Sequence, residues 1–379
     1  MKEVVILGGG VVGGLLALKL HLLEFQVTLI ERRSLAGIFA ITTSRTFALN
    51  AKSANILRYW DVWPAQAQEN PIVEVHIAQH GSFVQSKLCA KDYNLKALGY
   101  SIPQHILEQY IYQSLAQCHI KILENCEIIA LKEEKEDWQL TCQQQEKVFN
   151  LTASFLIVAD GQHSTTREML HLPAHTVDFP QKAWVGEAQL TQSHNHIAYE
   201  LFTEQGAVAL LPLSSDRATI VWTLPLEEDH TMQREQALAH LGDYLARFKV
   251  ELKSFKGLAN FPLSCTYAPQ QVIKNAILMG NAAHSLHPIA AQGLNVSIAD
   301  VATLLHLLEE RREEKLQDIL EQYQKQRLPF QQGKIWYTNF LAHWIASDKL
   351  PTWVKHVSLG GFELFTPLKH IFGQFNMGF

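Results

Sequence analysis

The chain is short of the features that would point to several common protein classes. Among 379 residues there are only five cysteines (Cys89, Cys118, Cys126, Cys142 and Cys265), with no CxxC pair among them. An odd, scattered set excludes a disulfide framework and a zinc site, and fits a reducing, cytoplasmic setting. The 32 basic residues are outnumbered by 37 acidic ones, for a net charge of −5, so the cationic surplus of a nucleic-acid binder is missing. Eighteen histidines occur without an HExxH arrangement, which argues against a metal centre. No apolar run reaches the ~20 residues needed to cross a bilayer. The most apolar stretch, Val4 to Leu23, is broken by Lys19 and His21 and lacks a convincing leader cleavage site. Hydrophobic residues at 47% against 18% charged exclude a disordered chain and supply a substantial core.

What is present begins with a compact strand, glycine turn, helix and strand. Val4-Val5-Ile6-Leu7 is a continuous apolar run, as a strand buried on both faces should be. The turn Gly8-x-Gly10-x-x-Gly13 follows, then a helix to about Leu23 and a strand Val27–Ile30 ending at Glu31. Glycines there let backbone approach a pyrophosphate, and the helix N-terminus offers its unpaired N–H groups. Glu31 stands where an acid would accept hydrogen bonds from ribose hydroxyls. In this flanking context the motif points to a dinucleotide, with NAD and FAD both open.

Further along, Ser53–Trp60 and His105–Leu115 have helical spacing, and Phe155–Ala159 reads as a strand entering Asp160-Gly161. Between about 180 and 225, alternating runs at Ala183–Leu190, Ile197–Thr203, Ala207–Leu213 and Ala218–Leu224 predict an antiparallel sheet. A strand Ala276–Met279 leads into Gly280, a long helix covers Leu294–Glu310, and the last fifty residues are helical and aromatic.

Three segments accompany the first motif: Ala159-Asp160-Gly161-x-x-Ser164-x-x-Arg167; Gly280-Asn281-Ala282-Ala283-His284-x-x-x-Pro288-x-x-x-Gln292-Gly293-x-Asn295; and Ser44-Arg45-Thr46-Phe47-Ala48-Leu49, with its arginine placed before a helix. Together they resemble the class A FAD-dependent aromatic monooxygenases. The runs GNAAHSLHPIAAQGLN and YELFTEQGAVALLPL are most similar to the ubiquinone-biosynthesis hydroxylases, in particular the 2-polyprenyl-6-methoxyphenol hydroxylase branch. The resemblance implies an α/β, para-hydroxybenzoate hydroxylase-like fold. A Rossmann-type FAD domain would span 1–72, 99–178 and 263–330. An inserted antiparallel β-sheet substrate domain would span 73–98 and 179–262, and a helical C-terminal segment 331–379.

It further implies resident FAD, NADPH or NADH as electron donor, and O2 that adds to the reduced flavin as a C4a-hydroperoxide and hydroxylates a polyprenyl phenol. Arg45 would neutralise FAD phosphate charge and Gln104 would meet the adenosine side. Asp160 would touch the flavin half, and Gly280 and Asn281 the ribityl-phosphate region. Pro288, Gln292, Gly293, Leu294 and Asn295 would run beside the isoalloxazine ring, where the helix N-terminus favours negative charge. Together with Gly8, Gly10, Gly13 and Glu31 these are the expected cofactor-binding residues; no catalytic base stands out and no metal is expected.

Departures from the family pattern are Asn281 where many relatives carry Asp, Ala291 for the first glycine of Gly-Gln-Gly, and Ser297 for a glycine early in the helix. Trp184 and Trp222 read as core residues or as the floor of a substrate pocket, and His284 and His287 as packing beside the cofactor. The C-terminal aromatics (Trp336, Phe340, Trp344, Trp353, Phe362, Phe365, Phe372 and Phe375) read as a docked helical pair or as a surface for lipid or for proteins of a ubiquinone-biosynthesis complex. Peripheral contact with the inner face of a membrane is expected on that second reading. The rival functions are a weakly active flavin scaffold in such a complex, and another flavoenzyme on the same fold.

Overall fold

The structure is a computed structural model that describes residues 3–43, 45–65, 67, 70–82, 84–203, 206–226, 234–346 and 366–378. Its first layer is a six-stranded sheet, and the reason for its parallel centre lies in the apolar runs. Glu3–Leu7 pairs in parallel with Gln26–Ile30 on one side and Phe155–Val158 on the other, with Val5 opposite both Thr28 and Leu156. Ala276–Leu278 extends the sheet beyond Phe155–Val158, and Lys121–Leu123 extends it beyond Gln26–Ile30. Val4, Ile6, Phe155–Val158 and Ala276–Leu278 are fully buried, as strands covered on both faces require.

The chain leaves the first strand toward one side of the sheet and returns on the other. Glu3–Leu7 is therefore the switch point at which a ligand crevice opens beyond the strand ends. Each neighbouring strand end carries one of the motifs: Leu7 leads to Gly8, Ile30 to Glu31, Val158 to Asp160 and Leu278 to Gly280. Helices Val11–Leu22, Gln104–Gln117 and Gly293–Glu310 pack on this sheet. An antiparallel meander of Cys126–Glu134, Asp137–Gln144 and Lys147–Ala153 stands beside it.

The second large layer is an eight-stranded sheet that contains all four of the expected strands and reaches well past them. The run expected at Ala183–Leu190 is a 16-residue strand, His175–Leu190, paired with an equally long one, Leu252–Tyr267. Its first half was hidden because Pro180 has no N–H to give the ladder, and the register slips between Asp178 and Lys182. Trp184 and Trp222 face each other across strands, stacked at 6.0 Å. Trp222 is buried in the apolar cluster against Leu241 and Phe255, so core packing is what these indoles do.

Arg45 precedes a helix as expected, with strand Thr46–Asn50 between the two, paired with Gly99–Pro103. The helix starts only at Ala51, where the Asn50 side chain accepts the Ser53 N–H at 2.9 Å. The consequence is positional, because Thr46 lies opposite Pro103 and so sets Arg45 beside Gln104. The C-terminal part is helical at Leu316–Ala346 and Thr366–Met377. Trp353, Phe362, Phe365 and the side chain of Trp344 lie outside the described residues.

These layers are joined by a buried ionic cluster. Asp300 receives His284 Nε2 at 2.6 Å on one oxygen and Arg327 Nε at 2.6 Å on the other. Burial pushes the Asp300 carboxyl up, but Arg327 and His284 outweigh burial and hold it below its usual value of 3.8. A depressed carboxylate stabilises the fold above the unfolded-state pKa, and that stability is lost as pH falls through the folded-state value. Asp300→Asn leaves Arg327 buried without its carboxylate, and should cost about 3–5 kcal/mol in urea unfolding at pH 7. The difference from wild type should shrink as the pH is taken down toward 3. Equal stability of the two proteins at pH 7 would show that the cluster contributes nothing.

Candidate functional site: a cavity between the two sheets

A cavity of about 490 Å3 runs from the glycine turn to the face of the eight-stranded sheet. At one end lie Gly10, Val11 and Val12 with Arg45, Gln104 and Glu108. In its middle are Gly280, Asn281, Pro288, Gly293 and Leu294, and Val185, Leu211, Val221 and Phe261 form the sheet wall.

The glycines of the turn serve different ends. A Cβ on Gly13 would lie 1.9 Å from the Gly8 carbonyl oxygen, and one on Gly8 (φ +95°) 2.4 Å from that of Ala159. Both are demanded by the protein's own packing. A Cβ on Gly10 or Gly293, by contrast, would meet nothing within 4 Å, yet both residues face the cavity. Those two leave room that the protein does not use for itself. Each sits at the start of a helix with no side-chain cap, Val11–Leu22 and Gly293–Glu310, so two sets of unpaired N–H groups converge on one space.

Charged and amide side chains form a relay along the turn. Glu31, 6% exposed, accepts the Gly9 N–H at 2.8 Å and Arg33 Nε at 3.1 Å. Arg33 continues to Glu108 at 3.2 Å, Gln104 donates to Glu108 at 2.9 Å, and Arg45 donates to Gln104 at 2.7 Å. Glu108 was not among the expected residues, although its position one helical turn after Gln104 was a readable signal.

The Asp-Gly and Gly-Asn motifs are tied to each other. Ser164 caps its short helix by accepting the Arg167 N–H at 2.9 Å, and the buried Arg167 guanidinium donates to the Ala282 carbonyl at 2.9 Å. Asp160 accepts the Thr166 N–H on Oδ2 at 3.4 Å, while its buried Oδ1 has no partner among the described residues. A buried acceptor left open at the cavity's edge fits a ligand that brings hydroxyl groups.

The loop from Pro288 to Asn295 divides in two. Pro288, Gly293 and Leu294 line the cavity, but Gln292 and Asn295 line a different one. Asn295 donates to the Ala48 carbonyl at 2.9 Å and accepts the Asn50 N–H at 2.9 Å, clamping the helix to strand Thr46–Asn50. Gln292 donates to Asn376 at 3.1 Å and accepts from Lys334 at 3.3 Å. Lys334 is 2% exposed, and burial pushes its ammonium down to about 7. It also donates to the Phe375 carbonyl at 2.7 Å, which fastens the final helix to this loop.

Ala291 adopts φ +48°, a left-handed backbone that costs an L-residue roughly 1–2 kcal/mol and that glycine takes freely. Ser297 faces the cavity and donates back to the Gly293 carbonyl at 3.2 Å. His284 belongs to the Asp300 cluster. His287 lines the cavity, and burial, helped by His343, pushes its imidazole down to about 4, so it is neutral at physiological pH. Its Nδ1 accepts the Ile289 N–H at 3.3 Å, which leaves the proton on Nε2.

Two helix starts and two glycines without packing duties therefore surround one elongated space, as a dinucleotide requires, with Asp160 next to the lining residues Ala159 and Gly161. The FAD binding domain family matches residues 1–335, and the chain belongs to it. It is an FAD-dependent monooxygenase, a class that draws its electrons from reduced nicotinamide. The chain is 30% identical to the 3-demethoxyubiquinol 3-hydroxylase of Escherichia coli, over 81% of this chain and 79% of that one. It is 26% identical to the ubiquinone hydroxylase UbiL of Rhodospirillum rubrum, over 100% of this chain and 90% of that one. The fold is that of p-nitrophenol 4-monooxygenase PnpA from Pseudomonas putida DLL-E4, with a TM-score of 0.78 at 16% identity, covering 100% of this chain and 98% of that one.

The glycine geometry gives a prediction that separates binding from folding. Gly10→Val should abolish FAD uptake while the apo protein keeps its melting temperature, because only the ligand occupies that space. Gly13→Ala should lower the melting temperature of the apo protein itself. FAD titration by fluorescence and a thermal melt of each apo variant check this. Normal FAD binding by Gly10→Val would show that the pyrophosphate lies elsewhere.

Proposed function

We propose that this protein hydroxylates the ring of a phenol carrying an isoprenoid side chain, as a step of ubiquinone biosynthesis. The observation that carries the substrate class is the sheet end of the cavity. Its walls are largely apolar, with Val185, Ala198, Ala207, Ala209, Leu211 and Leu263 beside Tyr199, Glu200, Thr223 and Ser264, and Arg45 is the only lysine or arginine among the described residues lining the whole space. A small aromatic acid would find no cation there, whereas an uncharged phenol with an apolar tail loses nothing by entering. The names of the two curated relatives point the same way, since both are hydroxylases of ubiquinone or its precursor.

In this reading the N–H groups of Val11–Gly13 hold the FAD pyrophosphate over Gly10 and Gly8, and Glu31 takes the ribose. Arg45 and Gln104 face the adenosine and phosphate side. Asp160, Gly280 and Asn281 would hold the ribityl region, and Pro288, Gly293 and Leu294 would flank the flavin. FAD, when bound, supplies the oxygen-activating redox chemistry. The chain's own tasks are to orient the phenol, to keep water out with apolar walls, and to leave His287 as a neutral N–H donor at the cavity edge. The N-terminus of helix Gly293–Glu310 favours negative charge on the reduced ring.

A lipid-borne substrate also calls for contact with a membrane or with neighbouring enzymes. Trp336 and Phe340, 69% and 51% exposed, stack at 5.4 Å on one face of helix Leu316–Ala346 and suit such contact. No helix among the described residues is long and apolar enough to cross a membrane.

The test is oxygen-dependent oxidation of NADPH or NADH by the holoenzyme. A phenol with an isoprenoid substituent should stimulate it and be recovered hydroxylated, and deletion of the gene should make the unhydroxylated quinone precursor accumulate. Stimulation by small carboxylated aromatics alone, with no precursor accumulating, would overturn the reading.

A further inference from the structure

A second cavity, of about 280 Å3, lies against the first. Ala48, Ile72, Val75 and Glu200 line both, so the two spaces share a wall. Its other sides are Leu88, Leu98 and Phe202 from the sheet region, and Leu341, Phe372 and Met377 from the two C-terminal helices. Four of the amides around it are occupied: Asn50 donates to the Asn376 carbonyl, Gln292 to Asn376 Oδ1, Asn295 to the Ala48 carbonyl, and Asn376 to the Phe372 carbonyl, while Gln79 Oε1 has no partner among the described residues. What these bonds leave facing inward is mainly alkyl and aryl surface.

Protein interiors rarely keep voids larger than a water molecule, and this one is lined chiefly by alkyl and aryl side chains. The space therefore suits an apolar occupant. Its position against the first cavity, across Ala48, Ile72 and Val75, says which one. The family match ends at residue 335, so Leu341, Phe372 and Met377 add a wall from outside the matched region.

We infer that this second cavity receives the isoprenoid side chain of the phenol whose ring occupies the first. The inference rests on the substrate reading above. The shared wall at Ala48, Ile72 and Val75 is then the point where ring gives way to tail, and the final helix, fastened through Lys334 and Asn376, closes the tail site.

Leu88→Trp and Leu341→Trp fill the space from opposite sides without touching the first cavity. The test measures binding to the holoenzyme, by the change in flavin absorbance, of two phenols that differ only in carrying a methyl or a farnesyl group. FAD content and melting temperature confirm that each variant is folded. Each should weaken the farnesyl phenol at least about tenfold and leave the methyl phenol within about twofold of wild type. Equal weakening of both phenols, or of neither, would overturn the inference, since the cavity would then be packing or the tail would leave elsewhere. Laurate that binds without competing with the farnesyl phenol would overturn it too, assigning the space to a separate lipid. If wild type binds the farnesyl phenol tightly but hydroxylates neither compound, the proposed reaction fails while the tail site stands.

Discussion

The Asp300 carboxylate is the point on which the layers of this molecule converge. It lies on helix Gly293–Glu310, whose first turn faces the cofactor cavity. Through His284 it holds the short strand His284–Ser285, which pairs with Leu252–Tyr267 of the eight-stranded sheet. Through Arg327 it holds helix Leu316–Ala346. One buried charge with two partners thus ties the helix after the Pro288–Gly293 loop to the eight-stranded sheet and to the C-terminal helices. Such a cluster is demanding, because removing any member strands the others in a medium of low polarity. Directional hydrogen bonds such as Thr46 to Thr219 at 2.6 Å and Gln162 to Ser264 at 2.6 Å add to it.

Within that frame the two ends of the cavity do different work. The turn end offers N–H groups, an arginine and a chain of carboxylates and amides, all suited to phosphate and sugar. The sheet end is largely apolar, with Tyr199, Glu200, Thr223 and Ser264 as its polar members. On the proposed reading such walls suit a phenol and keep water from the reacting oxygen.

How much could be read beforehand follows from which interactions are local. The strand Val4–Leu7, the glycine turn and Glu31 were legible because a doubly buried parallel strand is a continuous apolar run and a pyrophosphate turn needs glycine at fixed spacing. The four sheet strands were legible from alternation, but the first half of His175–Leu190 was not, because Pro180 interrupts its ladder. That Arg45 lies beside Gln104 was not legible, because it depends on strand Thr46–Asn50 pairing with Gly99–Pro103, far along the chain. Gln292 and Asn295 read as flavin-side residues from their motif, yet their side chains serve Lys334, Asn376, Ala48 and Asn50. Those partners lie 42 to 247 positions away, and no local pattern announces them. Ala291 was visible as a departure from the family pattern, and its positive φ is one that glycine takes more freely.

The central claim is that this cavity brings O2-derived oxygen to an apolar phenol. It is tested most directly by following the oxygen atom. The holoenzyme, reduced by NADPH or NADH, is supplied with 18O2 and a phenol bearing an isoprenoid substituent, and the product is weighed by mass spectrometry. A monooxygenase with this geometry transfers a single labelled atom to the ring and none when the label is in water instead. Label entering from water, or nicotinamide oxidised with no oxygen gained by the phenol, would contradict the account.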